Sequence, residues 1–394
     1  MSSVAAVNEG DDTYAAVARA IELAGGPAWR SGDRVVVKPN IAGTADPHEH
    51  PSAVTRPEVT IAVARYVLET GGRPVIAESG VQTTRRDVPM AEYFAANGLT
   101  EPAARLGVRL VDITQEPFEE VEVPGGVALT RVRLPRVVRD ADAVISVPAL
   151  KHHFQAVVSL SLKNMKGCLH DDEKRLCHQV GLEQAIADYC GLIRPALAVV
   201  DAWKTRDRIK DRAYDVGLVL AGRDPVAVDA VGARLMGFEP VKITALTLAA
   251  EAGLGRLDDI ETVGDGIEGR AVHLSRPPGE YVEYGDNRLY IIEKDSCSGC
   301  WSQLRSCAGE IFKRWGDELA ELSAVMGSGR PARDDRPTMT LGDCARRQDS
   351  GAEHAPGCPP SREAILDAAR RLAERRKGRP AAPRATPDSP DKSG

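Results

Sequence analysis

Five of the chain's eight cysteines fall in its last quarter, in "DSCSGCWSQLRSC" (295–307), "LGDCARR" (341–347) and "PGCPPS" (356–361). Cysteine can close a disulfide, act as a nucleophile or ligate a metal. The segments containing Cys344 and Cys358 are punctuated by glycine or proline. Glycine lets the backbone come close to a bulky inorganic group, and proline freezes the loop and removes N–H donors. Cys358 also stands just before a helical pattern that starts near Ser361. The open N–H groups and positive dipole end of such a helix favour an anionic ligand. A C-x-x-C such as Cys297–Cys300 serves zinc, redox and cluster sites alike. A structural zinc site closed by four thiolates therefore stands beside an iron–sulfur cluster as a reading of these turns.

A second group of reactive side chains lies in "ALKHHFQAVVSLSLKNMKGCLHDDEKRLCH" (149–178), directly after the apolar run "AVISVP". It holds Lys151, His152, His153, Lys163, Asn164, Lys166, His170 and His178. Lys38 and Asn40 follow another such run in "VVVKPNIAG", and Arg56 opens the helical pattern at "TRPEVT". Side chains at the carboxyl ends of parallel strands point into the crevice where α/β folds bind ligands. Several cations there suit a small carboxylate or phosphate, and His or Lys can move protons. Lys151, His153, Lys163 and His178 are the candidate catalytic residues. Lys38, Asn40, Arg56, Asn164 and Lys166 are the candidate substrate-binding residues. Cys168, His170, Cys177 and His178 could form a second metal site, although their spacing follows no zinc pattern.

The elements that must position these groups alternate in type. "DRVVVKP" (33–39), "PVIAES" (74–79), "AVISVP" (143–148), "ALAVVDA" (196–202) and "VGLVLAG" (216–222) are continuous apolar runs, as expected of strands covered on both faces. Helical patterns lie between them at 13–24, 57–70, 181–193 and 225–237, the last opening on Pro225 and closing on Gly237. The alternation predicts an α/β fold, a layered and mostly parallel sheet, with an antiparallel insertion at 119–135. After about residue 290 the texture changes. Ile311, Trp315, Leu319, Leu322 and Met326 make one helical stripe over 310–326. This gives an α/β domain over 1–290, a small helical cysteine-rich module over 291–376 and a Pro-rich disordered tail over 377–394.

With 394 residues, 43% apolar content and a net charge of −6, the composition is that of an ordinary globular protein. Neither nucleic acid nor an anionic membrane is indicated as a partner by that charge. No apolar run reaches the roughly 18 residues of a membrane span, and the first twenty residues lack a secretory pattern. A cytoplasmic protein with reduced thiols is expected, which weakens the disulfide reading. No Gly-x-Gly-x-x-Gly follows a strand, so nicotinamide binding has no local support.

The motifs "CSGC" (297–300), "GDCA" (342–345) and "PGCPPSREAIL" (356–366) resemble the cysteine segments that hold the proximal [4Fe–4S] cluster of hydrogenase small subunits and of the related complex I subunit. That resemblance implies Cys297, Cys300, Cys344 and Cys358 as the ligands of one [4Fe–4S] cluster, leaving Cys307 as core or as a substitute ligand. Further forward, "VVVKPNI", "TRPEVTIAVARYVLETGGRPVIAES", "PALKHH…SLSLKNMKG", "PALAVVDA" and "AGRDPVAVDAVGARLMG" together resemble the domain of unknown function 362 family. Many of its relatives carry a ferredoxin-like module after this domain. Here the second ferredoxin run is missing, which favours a single cluster. The expected function is an iron–sulfur oxidoreductase acting on a small anionic substrate, with ferredoxin or flavodoxin as electron donor and a homodimer as a possible assembly. The alternatives are a lyase or isomerase using an open iron as Lewis acid, and an electron carrier with no substrate of its own.

Overall fold

The computed structural model describes residues 1–41, 48, 52–80, 88–153, 155–207, 212–275, 281–294, 298–327, 329, 336–345 and 352–377. Cys297 and the tail from 378 lie outside the described residues. The chain divides into two compact units, Met1–Pro277 and Pro278–Gly394.

The first unit begins β1 (Ser2–Asn8), α1 (Thr13–Leu23), β2 (Arg34–Pro39), α2 (Pro57–Glu69), β3 (Arg73–Glu78), α3 (Met90–Ala96), α4 (Thr100–Leu106) and β4 (Arg109–Asp112). A hairpin of β5 (Phe118–Glu122) and β6 (Arg131–Pro135) and the short α5 (Arg136–Arg139) lead to β7 (Ala143–Val147). Next come a small ribbon of β8 (His152–His153) and β9 (Val157–Val158), then α6 (Ser161–Asn164), α7 (Asp171–Val180) and α8 (Leu182–Ile193). The unit closes with β10 (Leu197–Asp207), β11 (Arg212–Gly222), α9 (Pro225–Leu235), α10 (Thr244–Glu251) and β12 (Ile260–Gly264).

Eight of these strands form one sheet in the order β12-β1-β11-β10-β7-β2-β3-β4. Every neighbouring pair is parallel except the two made by β11. The layered, mostly parallel sheet is therefore observed, and the insertion at 119–135 is the antiparallel β5–β6 hairpin. The apolar runs read as they do because both faces are covered. Val35 and Val37 pack into one core and Val36 into another, on opposite sides of the sheet. The core of Val35 and Val37 also takes α1 and α2, and that of Val36 takes α8, α9 and α10. Helix α9 starts where Asp224 accepts from the Ala227 N–H at 2.9 Å, with Pro225 in the first turn. It is buried along nearly its whole length.

The second unit contains β13 (Tyr281–Tyr284), β14 (Asn287–Lys294), α11 (Ser298–Trp315), β15 (Glu321–Gly327), β16 (Thr338–Leu341), β17 (Glu353–Ala355) and α12 (Arg362–Arg376). Its strands form a sheet ordered β13-β14-β15-β16-β17, parallel from β14 onward. The module is thus a sheet with two helices on it, and β13 and β14 belong to it rather than to the first unit. The helix expected over 310–326 ends at Trp315, and Glu321–Gly327 is a strand. Leu322, Ala324 and Met326 enter the core in alternation, the two-residue period of a strand. Gly316 marks the break, where a Cβ would lie 2.6 Å from the Phe312 carbonyl oxygen.

Candidate functional site

The strand order fixes where the first unit can hold a ligand. From β2 the chain moves outward to β3 and β4, whereas β7 lies on the other side of β2 and leads to β10. The crevice of a doubly wound sheet opens at such a reversal, beyond the carboxyl ends of the strands. Lys38, on β2, is buried there at 1% exposure. Its Nζ lies 2.7 Å from Glu78 Oε2, 2.8 Å from the Pro39 carbonyl and 3.5 Å from Asn164 Oδ1. Glu78 also accepts from the Ile41 and Ser79 N–H groups, at 3.0 and 2.7 Å. A buried ion pair persists only when its remaining donors and acceptors are met, and here they are. Asn164 Nδ2 donates to the Lys38 carbonyl and to Ser146 Oγ, tying α6 to the ends of β2 and β7.

Beside this pair, Lys151 Nζ donates to Asn40 Oδ1 at 2.8 Å and to the Ala53 carbonyl at 3.2 Å. Arg56 is differently placed from a ligand-receiving cation. Its guanidinium is buried, bonded to both Asp201 and Glu9, and stacked 4.7 Å from the Trp203 ring centroid. Burial alone would lower its basicity, but Asp201 and Glu9 outweigh that and raise it. This positive charge is answered by two carboxylates from β10 and the segment after β1. His153 Nδ1 accepts from the Gln155 and Ala156 N–H groups at 3.2 Å each, which fixes the turn between β8 and β9.

Lys163, Asn164, Lys166 and His178 converge from α6, the 3₁₀ turn after it and α7. Asp229 on α9 positions the start of that segment. Its carboxylate takes the Ser161 and Leu162 N–H groups at 2.8 and 3.0 Å, and the Ser161 hydroxyl. Burial pushes the Asp229 carboxyl up to about 7. Further along, Lys166 Nζ lies 2.6 Å from His178 Nε2, and His178 Nδ1 lies 3.2 Å from Gln155 Oε1. An amide oxygen can only accept, so Nδ1 carries the proton and Nε2 accepts from the lysine. Burial, then Lys166 and Lys163, hold the His178 imidazole well below its ordinary value of 6.5. The result is a neutral histidine between two half-buried lysines, suited to receive an anion and exchange a proton.

The four residues considered as a second metal site are not gathered as a donor set. Cys168 and Cys177 lie in the core with thiols pushed up to about 11 by burial. His170 instead caps α7, accepting from the Asp172 N–H. Sequence reasoning missed Glu78, Ser79 and Lys174. Glu78 and Ser79 end the run "PVIAES", so the strand-end argument used for Lys38 would have found them. Lys174 gave no such signal.

In the second unit, Cys300 lies in the first turn of α11, Cys344 follows β16, and Cys358 sits in the turn between β17 and α12. Cys300 is buried, whereas Cys344 and Cys358 are exposed. The turns are held together by Gly342 N–H to the Ala355 carbonyl at 3.0 Å and Gly357 N–H to Asp343 Oδ1 at 3.0 Å. Gly342 has φ +86, and a Cβ on it would lie 2.8 Å from Cys300 Sγ and 3.6 Å from Cys344 Sγ. Two sulfurs therefore face one glycine, whose missing side chain keeps the space in front of them clear. This cradle fits an iron–sulfur core, which needs thiolates converging on a space without side-chain atoms. Cys307 is buried in the core of the unit, with its thiol pushed up to about 11 by burial. Among the described residues no group of three or more His, Cys, Asp or Glu side chains is close enough to hold a single metal ion.

Among the described residues no helix is long and apolar enough to cross a membrane. The chain is 29% identical over 235 residues to the thylakoid-associated protein sll1697 of Synechocystis sp., covering 57% of this chain and 69% of that protein. Among solved structures it matches the lactate racemase apoprotein of Thermoanaerobacterium thermosaccharolyticum at 11% identity and a TM-score of 0.40, over 84% of this chain and 69% of that one. The family described as "Domain of unknown function (DUF362)" matches residues 35–234, from the start of β2 to the end of α9 and so through the whole basic site. The chain belongs to that family.

Proposed function

We propose that the protein is an iron–sulfur oxidoreductase acting on a small anionic substrate. The reading is carried by the cradle at Gly342, where Cys300 and Cys344 face one glycine and Cys358 stands in the neighbouring turn. In this reading Cys297, Cys300, Cys344 and Cys358 hold one [4Fe–4S] cluster. When bound, the cluster supplies single electrons, received from a donor of the ferredoxin or flavodoxin type. Ser361, which caps α12 by accepting from the Ala364 N–H at 3.1 Å, keeps the positive end of that helix behind Cys358.

The first unit supplies binding and protons. Lys163 and Lys166 attract the carboxylate or phosphate of the substrate. Lys166 gives a proton to the substrate as negative charge develops there, while Gln155 Oε1 holds His178 in the neutral tautomer whose Nε2 accepts from the lysine. The Lys38–Glu78 pair and Asn164 keep β2, β3 and α6 in register, so the cations do not drift when an anion arrives.

Protein prepared without oxygen should contain about four irons and four sulfides per chain and give the EPR spectrum of a reduced cubane. Cys358→Ala should lose both iron and spectrum, whereas Cys190→Ala, whose thiol donates to the Leu162 carbonyl in the other unit's core, should retain them. Stoichiometric zinc with no iron in such protein overturns the reading.

A further inference from the structure

Lys174 lies on α7 with 9% exposure, and nothing above gives it a task. Its Nζ donates to Ser79 Oγ at 2.6 Å and stands 3.4 Å from Asp171 Oδ1. Ser79 Oγ in turn lies 2.8 Å from the Gly167 carbonyl oxygen. A Cβ on Gly167 would be 2.7 Å from Lys38 Nζ and 3.2 Å from Glu78 Oε1, so the glycine that Ser79 contacts also packs on the Lys38–Glu78 pair. That glutamate is already committed to Lys38, to Ile41 and to the Ser79 N–H. Among the described residues an ammonium at Lys174 has the hydroxyl of Ser79 and one half-exposed carboxylate at ion-pair distance. Burial lowers its basicity and the Lys38 charge lowers it further, against Asp171 and Glu78. Desolvation next to a second cation is how a lysine is turned into a nucleophile near neutral pH.

Lys174 and His178 are four residues apart and both buried on the same face of α7. His178 therefore lies one helical turn along α7 from Lys174, and Lys166 Nζ contacts it at 2.6 Å. A ligand held there by its anionic end would bring the rest of its chain toward Lys174. We propose that Lys174 forms a Schiff base with a small carbonyl acid, a 2-oxo acid or a near relative, in this cleft. The proposal rests on the anion-binding reading of the cleft and names its substrate class; it does not depend on the cluster.

The step balances without an oxidant or reductant. The ammonium gives one proton to Asp171, and the amine lone pair forms the C–N bond as the carbonyl π pair moves to oxygen. That oxygen takes a proton from the nitrogen, giving a neutral carbinolamine. Asp171 then returns its proton to the hydroxyl, which leaves as water while nitrogen forms the C=N bond. The sum is ammonium plus carbonyl going to protonated imine plus water. Ser79 Oγ accepts from the same amine, fixing one N–H while its own hydroxyl donates to the Gly167 carbonyl.

The full-length protein, incubated in turn with pyruvate, 2-oxobutyrate and 2-oxoglutarate and reduced with borohydride, should gain one secondary-amine adduct per chain. Peptide mapping should place it on Lys174. Lys174→Met and Lys174→Arg should lose the adduct, and Lys242→Met, at an exposed position, should keep it. Each variant's melting curve checks that the fold is intact. Malonate, an anion with no ketone, reports on the anion site alone through a rise in melting temperature. That rise should survive in Lys174→Met and shrink at least tenfold in apparent affinity in the Lys163→Ala, Lys166→Ala double variant. Malonate binding with no adduct from any of the three acids, or an adduct that persists in Lys174→Met, overturns the lysine proposal and leaves the anion site standing. No malonate effect and no adduct overturns both.

Discussion

The basic site of the first unit and the cysteine edge of the second are built on opposite terms. At the basic site the buried charges answer one another within the protein, Lys38 with Glu78 and Arg56 with Asp201 and Glu9, while Lys166 donates to neutral His178. At the cysteine edge the groups of interest are thiols on short turns, two of them exposed, shaped by glycines with φ of +86 and +118. The first arrangement is organised by its own electrostatics and needs nothing added to stay in place. In the second, if the proposed cluster is held there, its thiolates add a cross-link to turns tied by a few hydrogen bonds. Loss of one group should therefore damage stability in the first unit and occupancy in the second.

The largest contrast comes from Cys344→Ala against Lys38→Ala. The cysteine variant should lose essentially all iron, read by metal analysis, while urea unfolding of the first unit is unchanged. Lys38→Ala should do the reverse, keeping iron but costing about 3–5 kcal/mol, because Glu78 is left charged and buried. Lys38→Met with Glu78→Gln should recover much of that loss. If Lys38→Ala is neutral, the claim that the basic site is self-organised fails.

A sharper comparison uses His178→Gln, which should keep the fold and reduce turnover by about a hundredfold to ten-thousandfold. The same variant has a pH signature. The folded His178 resists protonation, so its folded-state value lies below the unfolded one, near 6.5. Its contribution to stability is then complete above pH 6.5 and is lost as pH falls through that value, since the unfolded chain takes up the proton first. His178→Gln should flatten the fall in stability below pH 6.5, and an unaltered slope in the variant speaks against a neutral buried imidazole.

Gly342→Ala should weaken iron retention at least tenfold during chelator challenge, since its Cβ would lie 2.8 Å from Cys300 Sγ and its φ of +86 disfavours any side chain. The smallest effect is expected from Ser361→Ala, about 1 kcal/mol of local stability through the lost cap on α12. A thermal unfolding comparison of the two variants ranks them.

Much of this was legible in the sequence for definite reasons. Val35, Val36 and Val37 form a continuous apolar run because each face of a central parallel strand needs covering, and that run announced both the sheet and the position of Lys38. Glycine and proline around Cys344 and Cys358 announced the turns. What failed to show had physical causes too. Leu319, Leu322 and Met326 satisfy a helical stripe, and only the alternation through Ala324 tells the strand from the helix. Arg56 looked like a ligand-binding cation because its partners, Glu9 just after β1 and Asp201 on β10, are brought beside it only by the sheet order. Lys174 sits in an acidic stretch, "HDDEKR", that reads as a solvated helix start; its burial follows from Ser79 and Gly167 closing over it.

Asp229 couples two elements that carry different burdens. One carboxylate on the fully packed α9 holds the Ser161 and Leu162 amides, from which Lys163, Asn164 and Lys166 follow within five residues. In hydrogen-exchange terms, those two amides should be protected beyond what so short a helix would give, because opening must also break their bonds to Asp229 on α9. The segment proposed to meet the substrate should therefore open with the core rather than with the surface. Amide exchange at Ser161 and Leu162 as slow as in α9, and faster in Asp229→Ala, is the expected signature of that coupling.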